Sequence, residues 1–421
     1  MDALDTILKT LEKNKFKVST DTRKNILGSV YFGIKGENFD GNDFVKEALK
    51  KGAVLAVTQN SKIQSGNVVY VKDTLKTLQY VAKKYREFFN IPVIAIGGSN
   101  GKTTSKELLA EVLKTKFIVH KTEGSLNNHL GVPLTILSMN KNTEIGVFEI
   151  GANHPKEHLE LLNILRPTHV LVTNNGMDHL EGFGSPKGSR KANKEIYDWA
   201  FVNKAEVFVN KKYKDLIEDS KKTKRILYPK EILKVAGSTP LSVVYKGEIY
   251  KTNFAGEYNI ENINLAVSVG QYFKVDIKKA LNTICRFTPS SNRSQLLKRK
   301  SIDFIVDCYN ANPTSMLLSL ESFMKSGSNK KGVVLGDMLE LGKYSDKEHL
   351  KIVKYLIKQK LGCVVLVGKN FKKALKKTKT NFNWFENSIL VEQWFKKQKF
   401  NDFTFLLKGS RGIKVEQILN V

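Results

Sequence analysis

The sequence predicts an α/β protein of three domains, and three observations point that way. Short apolar runs alternate with helical patterns along most of the chain, which is the sign of βα units and parallel sheets. A glycine-rich stretch, GGSNGKTT at residues 97–104, lies between an apolar run and a helix. Around Pro289-Ser290-Ser291-Asn292 the chain turns loop-like, and a second series of βα units begins. These breaks place the expected domains at 1–88, 89–291 and 292–421. A chain of 421 residues with 41% hydrophobic residues is long enough to bury several cores.

In the first domain GSVYFGIKG (28–36), AVLAVTQ (53–59) and NVVYVK (67–72) read as short strands. A helix from Thr74 to about Phe89 ends it. The second domain opens with the buried strand Ile91–Ile96. In the helix that follows the glycine loop, Leu108, Leu109, Val112 and Leu113 share one face. Strand, glycine loop and helix opening with Lys and Thr form a phosphate-binding geometry. Glycines let backbone N–H groups approach the phosphates, and the helix N-terminus favours their charge. Lys102 would reach the β/γ-phosphates, and the Thr103 hydroxyl would ligate Mg²⁺. The loop is one residue shorter than G-x-x-x-x-G-K-[ST], because position 96 is Ile. Strands follow at IGVFEIG (145–151), HVLVTN (169–174) and AEVFVN (205–210), then a hairpin at 243–254 and a helix over 259–273. The third domain carries SIDFIVDCYN, KGVVLGDM, CVVLVGKN and FTFLLKGS as strands between helices, a Rossmann-like pattern. Three of these strands run into Asp307, Asp337 and Lys408, at the sheet edge where open α/β sheets bind ligands.

No apolar run approaches the ~18 residues of a membrane span. The N-terminus mixes acids with bases and lacks the pattern of a signal peptide. Three scattered cysteines, Cys285, Cys308 and Cys363, suit neither a disulfide framework nor a zinc site. A cytoplasmic location is therefore expected. The net charge of +28 is spread along the chain without interleaved aromatics or a recognition motif. A Lys-rich solvated surface explains it better than nucleic-acid binding, and a positive field also attracts polyanionic small substrates.

GGSNGKTT, SLNNHLGVPLTIL (125–137), EIGANHPKE (149–157), NNGMDHLEGFGS (174–185) and GEYNIENINLA (256–266) together resemble the Mur ligases of peptidoglycan synthesis. DCYNANPTSM (307–316), GDMLELG (336–342) and LLKGSRGIKVEQIL (406–419) narrow the resemblance to the member that adds D-Ala-D-Ala to UDP-MurNAc-tripeptide. TDTR (20–23) and the segment 32–53 resemble the uridine-binding domain of that member. The resemblance implies an ATP-dependent ligase with a central P-loop domain, acting as a monomer through an acyl phosphate.

It also implies roles for particular residues. Gly98, Ser99, Asn100, Gly101, Lys102, Thr103 and Thr104 would hold the ATP phosphates. Glu149 would reach the nucleotide Mg²⁺, although a strand-end Glu can equally face water. His179 would ligate a second Mg²⁺, with Asp178 either its neighbour in the site or the start of a turn. In many relatives a carbamylated lysine follows that histidine by some fourteen residues. Here the position is Asn193, flanked by Lys191 and Lys194, so either the helix is offset or no carbamate is used. Asn259 and Asn262 would meet adenine, or Asn259 caps its helix; Tyr258 replaces the histidine of many relatives. Arg293 and Asp307 would contact ATP from the third domain. For the substrates, Asn127 and Asn128 would meet the UDP-MurNAc part and Asn310 the dipeptide, while Asn312 suits a turn before Pro313. Thr22, Arg23, Lys35 and Gly36 would hold uridine and diphosphate, with Arg23 equally readable as a surface charge. A hinge at 288–293 would let the third domain close. The alternatives are another Mur-type ligase, or a basic P-loop ATPase acting on nucleic acid.

Overall fold

The computed structural model describes residues 2–63, 65–328 and 330–420. It divides into two compact units. The first comprises Met1–Ala95, Phe117–Ala152 and Lys156–His169; the second comprises Ile96–Lys116, Asn153–Pro155 and Val170–Val421. The division runs through two strands, Val93–Gly97 and His169–Val172.

The first unit starts with the helix Ala3–Lys13, which buries Ile7 and Leu11, four apart on one face. A parallel four-stranded sheet follows, in the order Val18–Ser19, Val30–Phe32, Leu55–Thr58, Val68–Tyr70. Its core gathers Ile26, Tyr31, Val45, Ala48, Ala53 and Ala56. The helix Thr74–Glu87 is capped by the Asp73 side chain and ends the expected first domain. Later in the same unit, Val119–Lys121 pairs in parallel with the fully buried strand Ile145–Glu149.

In the second unit Glu206–Asn210 pairs in parallel with Lys224–Tyr228. The expected hairpin forms as Leu241–Tyr245 against Glu248–Lys251, and a third strand, Lys234–Ser238, joins it. The C-terminal sheet has six strands in the order Gln295–Arg299, Ile302–Asp307, Phe403–Lys408, Lys330–Gly336, Cys363–Val367, Asn383–Phe385. Only its first pair is antiparallel. Alternate side chains of these strands enter opposite cores, as strand geometry requires. Ile305, Val333, Leu335, Leu366 and Leu406 face one core; Phe304, Val306, Val334, Val365, Phe405 and Leu407 face the other. The parallel α/β architecture expected from the sequence is present. Among the described residues, no helix is long and apolar enough to cross a membrane.

Candidate active site

Within the second unit, the glycine loop connects a strand end to the helix Lys102–Lys114. Thr173 N donates to Gly97 O at 2.9 Å and Ser99 N to Asn174 O at 3.0 Å, so the loop rises beside the end of a neighbouring strand. Gly98 and Gly101 have φ of 112° and 82°. A Cβ at Gly98 would stand 2.4 Å from Thr173 Oγ1, and one at Gly101 2.5 Å from Asn262 Oδ1. Both positions therefore require glycine, for conformation and for space. Lys102 Nζ folds back along the loop and donates to Gly98 O at 2.5 Å and Ser99 O at 3.4 Å. Thr103 and Thr104 occupy the first turn of the helix, partly exposed.

A polar network backs the loop. Ser99 Oγ donates to Asp178 Oδ1 at 2.5 Å, and Ser189 Oγ donates to the same oxygen at 2.7 Å. Asn193 Nδ2 donates to Asn175 Oδ1 at 2.9 Å and approaches Ser99 Oγ at 3.3 Å. Asn100 N donates to Asn174 Oδ1 at 3.2 Å. The helix Pro186–Asn203 is thus in register with Asn193 facing the loop. Lys194, about 100° further round the helix, points outward and pairs with Asp198. An offset helix is thereby removed as an explanation for the missing lysine.

Asn259 and Asn262 are buried and bonded to one another. Asn262 Nδ2 donates to Asn259 Oδ1 at 2.9 Å, Asn262 Oδ1 accepts from Ser105 Oγ at 3.0 Å, and Asn259 Nδ2 donates to Ala255 O at 2.8 Å. Through Ser105 their amides tie the helix Lys102–Lys114, which follows the glycine loop, to the helix Ile260–Tyr272. No side-chain cap by Asn259 is formed.

From the C-terminal sheet, Asp307 meets Lys408 at 2.6 Å, directly across the parallel pair. Asp307 also accepts from Ser319 Oγ at 3.0 Å, Ser294 N at 3.2 Å and Tyr258 Oη at 3.3 Å. Burial alone would raise the Asp307 pKa; the Lys408 ammonium and these donors outweigh it and hold the carboxyl below its ordinary value. Burial and the Asp307 charge push the Tyr258 phenol well up. The Arg293 guanidinium stacks on the Tyr309 ring at 3.5 Å, with Arg411 over the same ring at 5.2 Å. Asn310 is exposed, its Oδ1 accepting from Ala311 N at 2.8 Å. Asn312 caps the helix Pro313–Lys325 in a capping box with Ser315. Its Nδ2 also donates to Asn100 Oδ1 at 2.8 Å, a direct tie to the glycine loop that no local pattern announces. His179 Nδ1 lies 2.6 Å from Glu340 Oε2 of the GDMLELG loop, another partner not anticipated. That hydrogen bond, more than burial, sets the Glu340 carboxyl below its ordinary value.

In the first unit Glu149 ends its strand buried, at 2% exposure, not facing water. Asn127 Nδ2 donates to Glu149 Oε1 at 2.8 Å, while Oε2 has no hydrogen-bond partner among the described residues. Asn128 Oδ1 accepts from Leu130 N and Gly131 N, starting the helix Gly131–Leu137. Nearer the N-terminus Thr22 is buried, and its carbonyl accepts from Lys51 Nζ at 2.9 Å. Arg23 is exposed and chelated by Asp21, with Nε–Oδ1 2.8 Å and Nη2–Oδ2 2.9 Å. Lys35 bridges Asp40 through the backbone, and Gly36 N donates to Phe39 O at 2.9 Å.

A glycine phosphate loop, braced by asparagines and tied to a C-terminal α/β layer, defines a nucleotide-dependent enzyme. Three family domains match along the chain: "Mur ligase family, catalytic domain" over residues 17–90, "Mur ligase middle domain" over 96–270 and "Mur ligase, glutamate ligase domain" over 292–409. The chain belongs to the Mur ligase family. It is similar to the UDP-N-acetylmuramoyl-tripeptide–D-alanyl-D-alanine ligase of Bacillus subtilis (strain 168), at 31% identity over 96% of this chain and 92% of that protein. The Haemophilus influenzae ligase of the same name is also 31% identical, with the same coverage. Among solved structures, MurF from Acinetobacter baumannii superposes with TM-score 0.87 at 26% identity, covering 98% of this chain and 97% of that one. MurF ligase from Thermotoga maritima in complex with ADP gives TM-score 0.84 at 25% identity, covering 97% of each chain.

Proposed function

We propose that this chain is the peptidoglycan ligase that joins D-Ala-D-Ala to UDP-MurNAc-tripeptide at the expense of ATP. The observation that carries the reading is the loop Gly97–Thr104: two obligatory glycines and Lys102 at a helix N-terminus, bonded to Asn312 of the YNANP segment. A carboxylate is a poor acylating agent. Transfer of the ATP γ-phosphoryl group to the tripeptide carboxylate gives an acyl phosphate and ADP. The dipeptide amine then attacks the acyl carbon, loses a proton and expels phosphate. Both steps bring anions together, so the site must neutralise charge and hold the reactants in line.

Lys102 supplies the mobile cation, and the backbone of Gly98 to Thr104 cradles the phosphates. Thr103, Glu149 and His179 are the residues that would hold Mg²⁺, which when bound neutralises phosphate charge. The chemistry of Glu149 fits this role, because a buried carboxylate oxygen without a hydrogen-bond partner is suited to a hard cation. Among the described residues no three His, Cys, Asp or Glu side chains gather for a metal. Asn259 and Asn262 fix the floor beneath the nucleotide, and Arg293 and Asp307 approach it from the C-terminal side. Thr22, Arg23, Lys35 and Gly36 serve the uridine diphosphate end, Asn127 and Asn128 the muramoyl part, and Asn310 the dipeptide. The domain limits 1–88, 89–291 and 292–421 follow these roles, and the enzyme acts in the cytoplasm as a monomer.

The test is turnover by purified protein with ATP, Mg²⁺, D-Ala-D-Ala and UDP-MurNAc-tripeptides ending in lysine or diaminopimelate. Phosphate release that requires both the tripeptide and the dipeptide is expected. Release driven by DNA or RNA instead would overturn the reading.

A further inference from the structure

The loop Asp337–Gly342 has no role assigned so far, yet its inner side is tied down within the second unit, while Leu339 and Glu340 remain exposed. Asp337 accepts from Asn370 N at 2.8 Å and Phe371 N at 2.9 Å. Met338 N donates to Nε2 of the fully buried His349 at 3.0 Å, and Leu339 N donates to Ser410 Oγ at 2.9 Å. Glu340 follows in the left-handed region, with φ 61°. A non-glycine residue holds that conformation only where its surroundings impose it.

Facing this loop is the segment that begins at His179, itself left-handed with φ 45°. Glu181 N donates to Glu340 O at 3.0 Å. Leu180, 2% exposed, sits in the same apolar core as Met338 and Leu341 of the loop. Backbone, core and side chain therefore all join His179 to Glu340, whose carboxylate stands 2.6 Å from His179 Nδ1. A carboxylate accepts, so Nδ1 is the donor in this contact, and Nε2 is the ring nitrogen turned away from Glu340.

We propose that Glu340 is a positioning residue for His179: it fixes the ring's tautomer and orientation and leaves Nε2 as the nitrogen offered to the site. Because Glu340 lies beyond the loop near residue 291, on the C-terminal side of the expected hinge, the ring is set only when the C-terminal part is docked. The loop thus makes docking a condition of a competent site. This inference rests on the reading of His179 as a site residue.

The experiment uses full-length protein with ring-¹⁵N-labelled histidine, the His179 signals being assigned by their loss in His179→Ala. Glu340→Ala and Glu340→Gln are compared with wild type for ring-nitrogen shifts without ligand and for kcat and KM with all substrates. At a pH where the ring is neutral, wild type should show the proton on Nδ1 and Nε2 bare. Glu340→Ala should show a tautomer mixture and lose about 10–100-fold in kcat, the usual cost of removing a partner that orients a ligand. KM for ATP should stay within about twofold, since ground-state binding is untouched. Glu340→Gln, whose amide oxygen still accepts, should recover most of both. If Glu340→Ala does not fold, Glu340→Asp, which withdraws the carboxylate by one methylene, must show the same tautomer change. Wild-type ring shifts and undiminished kcat in the truncated variants would overturn the proposal. Full turnover by His179→Ala would strike the site reading instead, and the ring shifts distinguish the two failures because they need no catalysis.

Discussion

Lys102 spends its charge on the carbonyls of Gly98 and Ser99, and a triphosphate entering the loop would draw it away. Lys102→Ala should leave the fold intact and lower turnover by about 10²–10³, on the order of 3–4 kcal/mol of transition-state stabilisation. Near wild-type turnover from a folded variant would remove the loop from the chemistry. Asp307 makes a different prediction. Its folded-state pKa is lowered, so its stabilisation is fully present above the ordinary carboxylate value of about 4 and is lost as pH falls through the lowered value. In Lys408→Met the buried carboxylate would have no cation, its pKa would rise, and the variant should lose stability as pH increases. Urea midpoints from acid to neutral pH would report the two opposite slopes; parallel curves would contradict the pairing. Lys102 and Glu149 were legible in the sequence because each ends or begins a strongly patterned element. Asn127 as the holder of Glu149, and Glu340 as the holder of His179, were not. Those pairs join loops 22 and 161 residues apart in sequence, and no local periodicity records such a contact.

The helix Pro186–Asn203 turns Asn193 to the loop and Lys194 to solvent. Turnover should therefore be indifferent to added bicarbonate, and Lys194→Ala should match wild type. Bicarbonate-dependent activity lost in Lys194→Ala would mean a different helix register during catalysis. The helix Pro313–Lys325 begins at Asn312, which both caps it and bonds Asn100. Asn312→Ala should cost about 1 kcal/mol of stability for the lost cap. It should also weaken nucleotide binding through the loop, and calorimetric titration with ADP is the check; unchanged affinity would make Asn312 a cap alone. Strands with continuous apolar runs were readable in advance. Gln295–Arg299, Lys234–Ser238 and Asn383–Phe385 were not, because they are half-exposed edges whose polar side chains read as loop.

At the scale of the whole molecule, the break near residue 290 separates the glycine loop from Asp307 and Asn310. Ser291, Asn292 and Ser294 all adopt positive φ there, between 51° and 57°. Such a stretch is suited to absorb the dihedral changes of a hinge at 288–293. Small-angle scattering should show the radius of gyration falling when an ATP analogue and UDP-muramoyl tripeptide are added together. An unchanged radius, with binding shown independently, would mean that the parts are already fixed. The break itself was legible from its Pro-Ser-Ser-Asn composition. The contacts across it, Asn312 to Asn100 and Glu340 to His179, depend on how the docked surfaces meet, which composition does not encode.

The C-terminal sheet has a consequence for synthesis. Phe403–Lys408 is the last strand made, yet it lies between Ile302–Asp307 and Lys330–Gly336. Until that strand has been made, those two neighbours have no partner between them, and their facing edges stay open. The earlier segments fold in order as they emerge. This sheet closes only once Phe403–Lys408 is in place, so a chain stalled or cut short before residue 403 would keep its unpaired strand edges exposed and open to association with other chains.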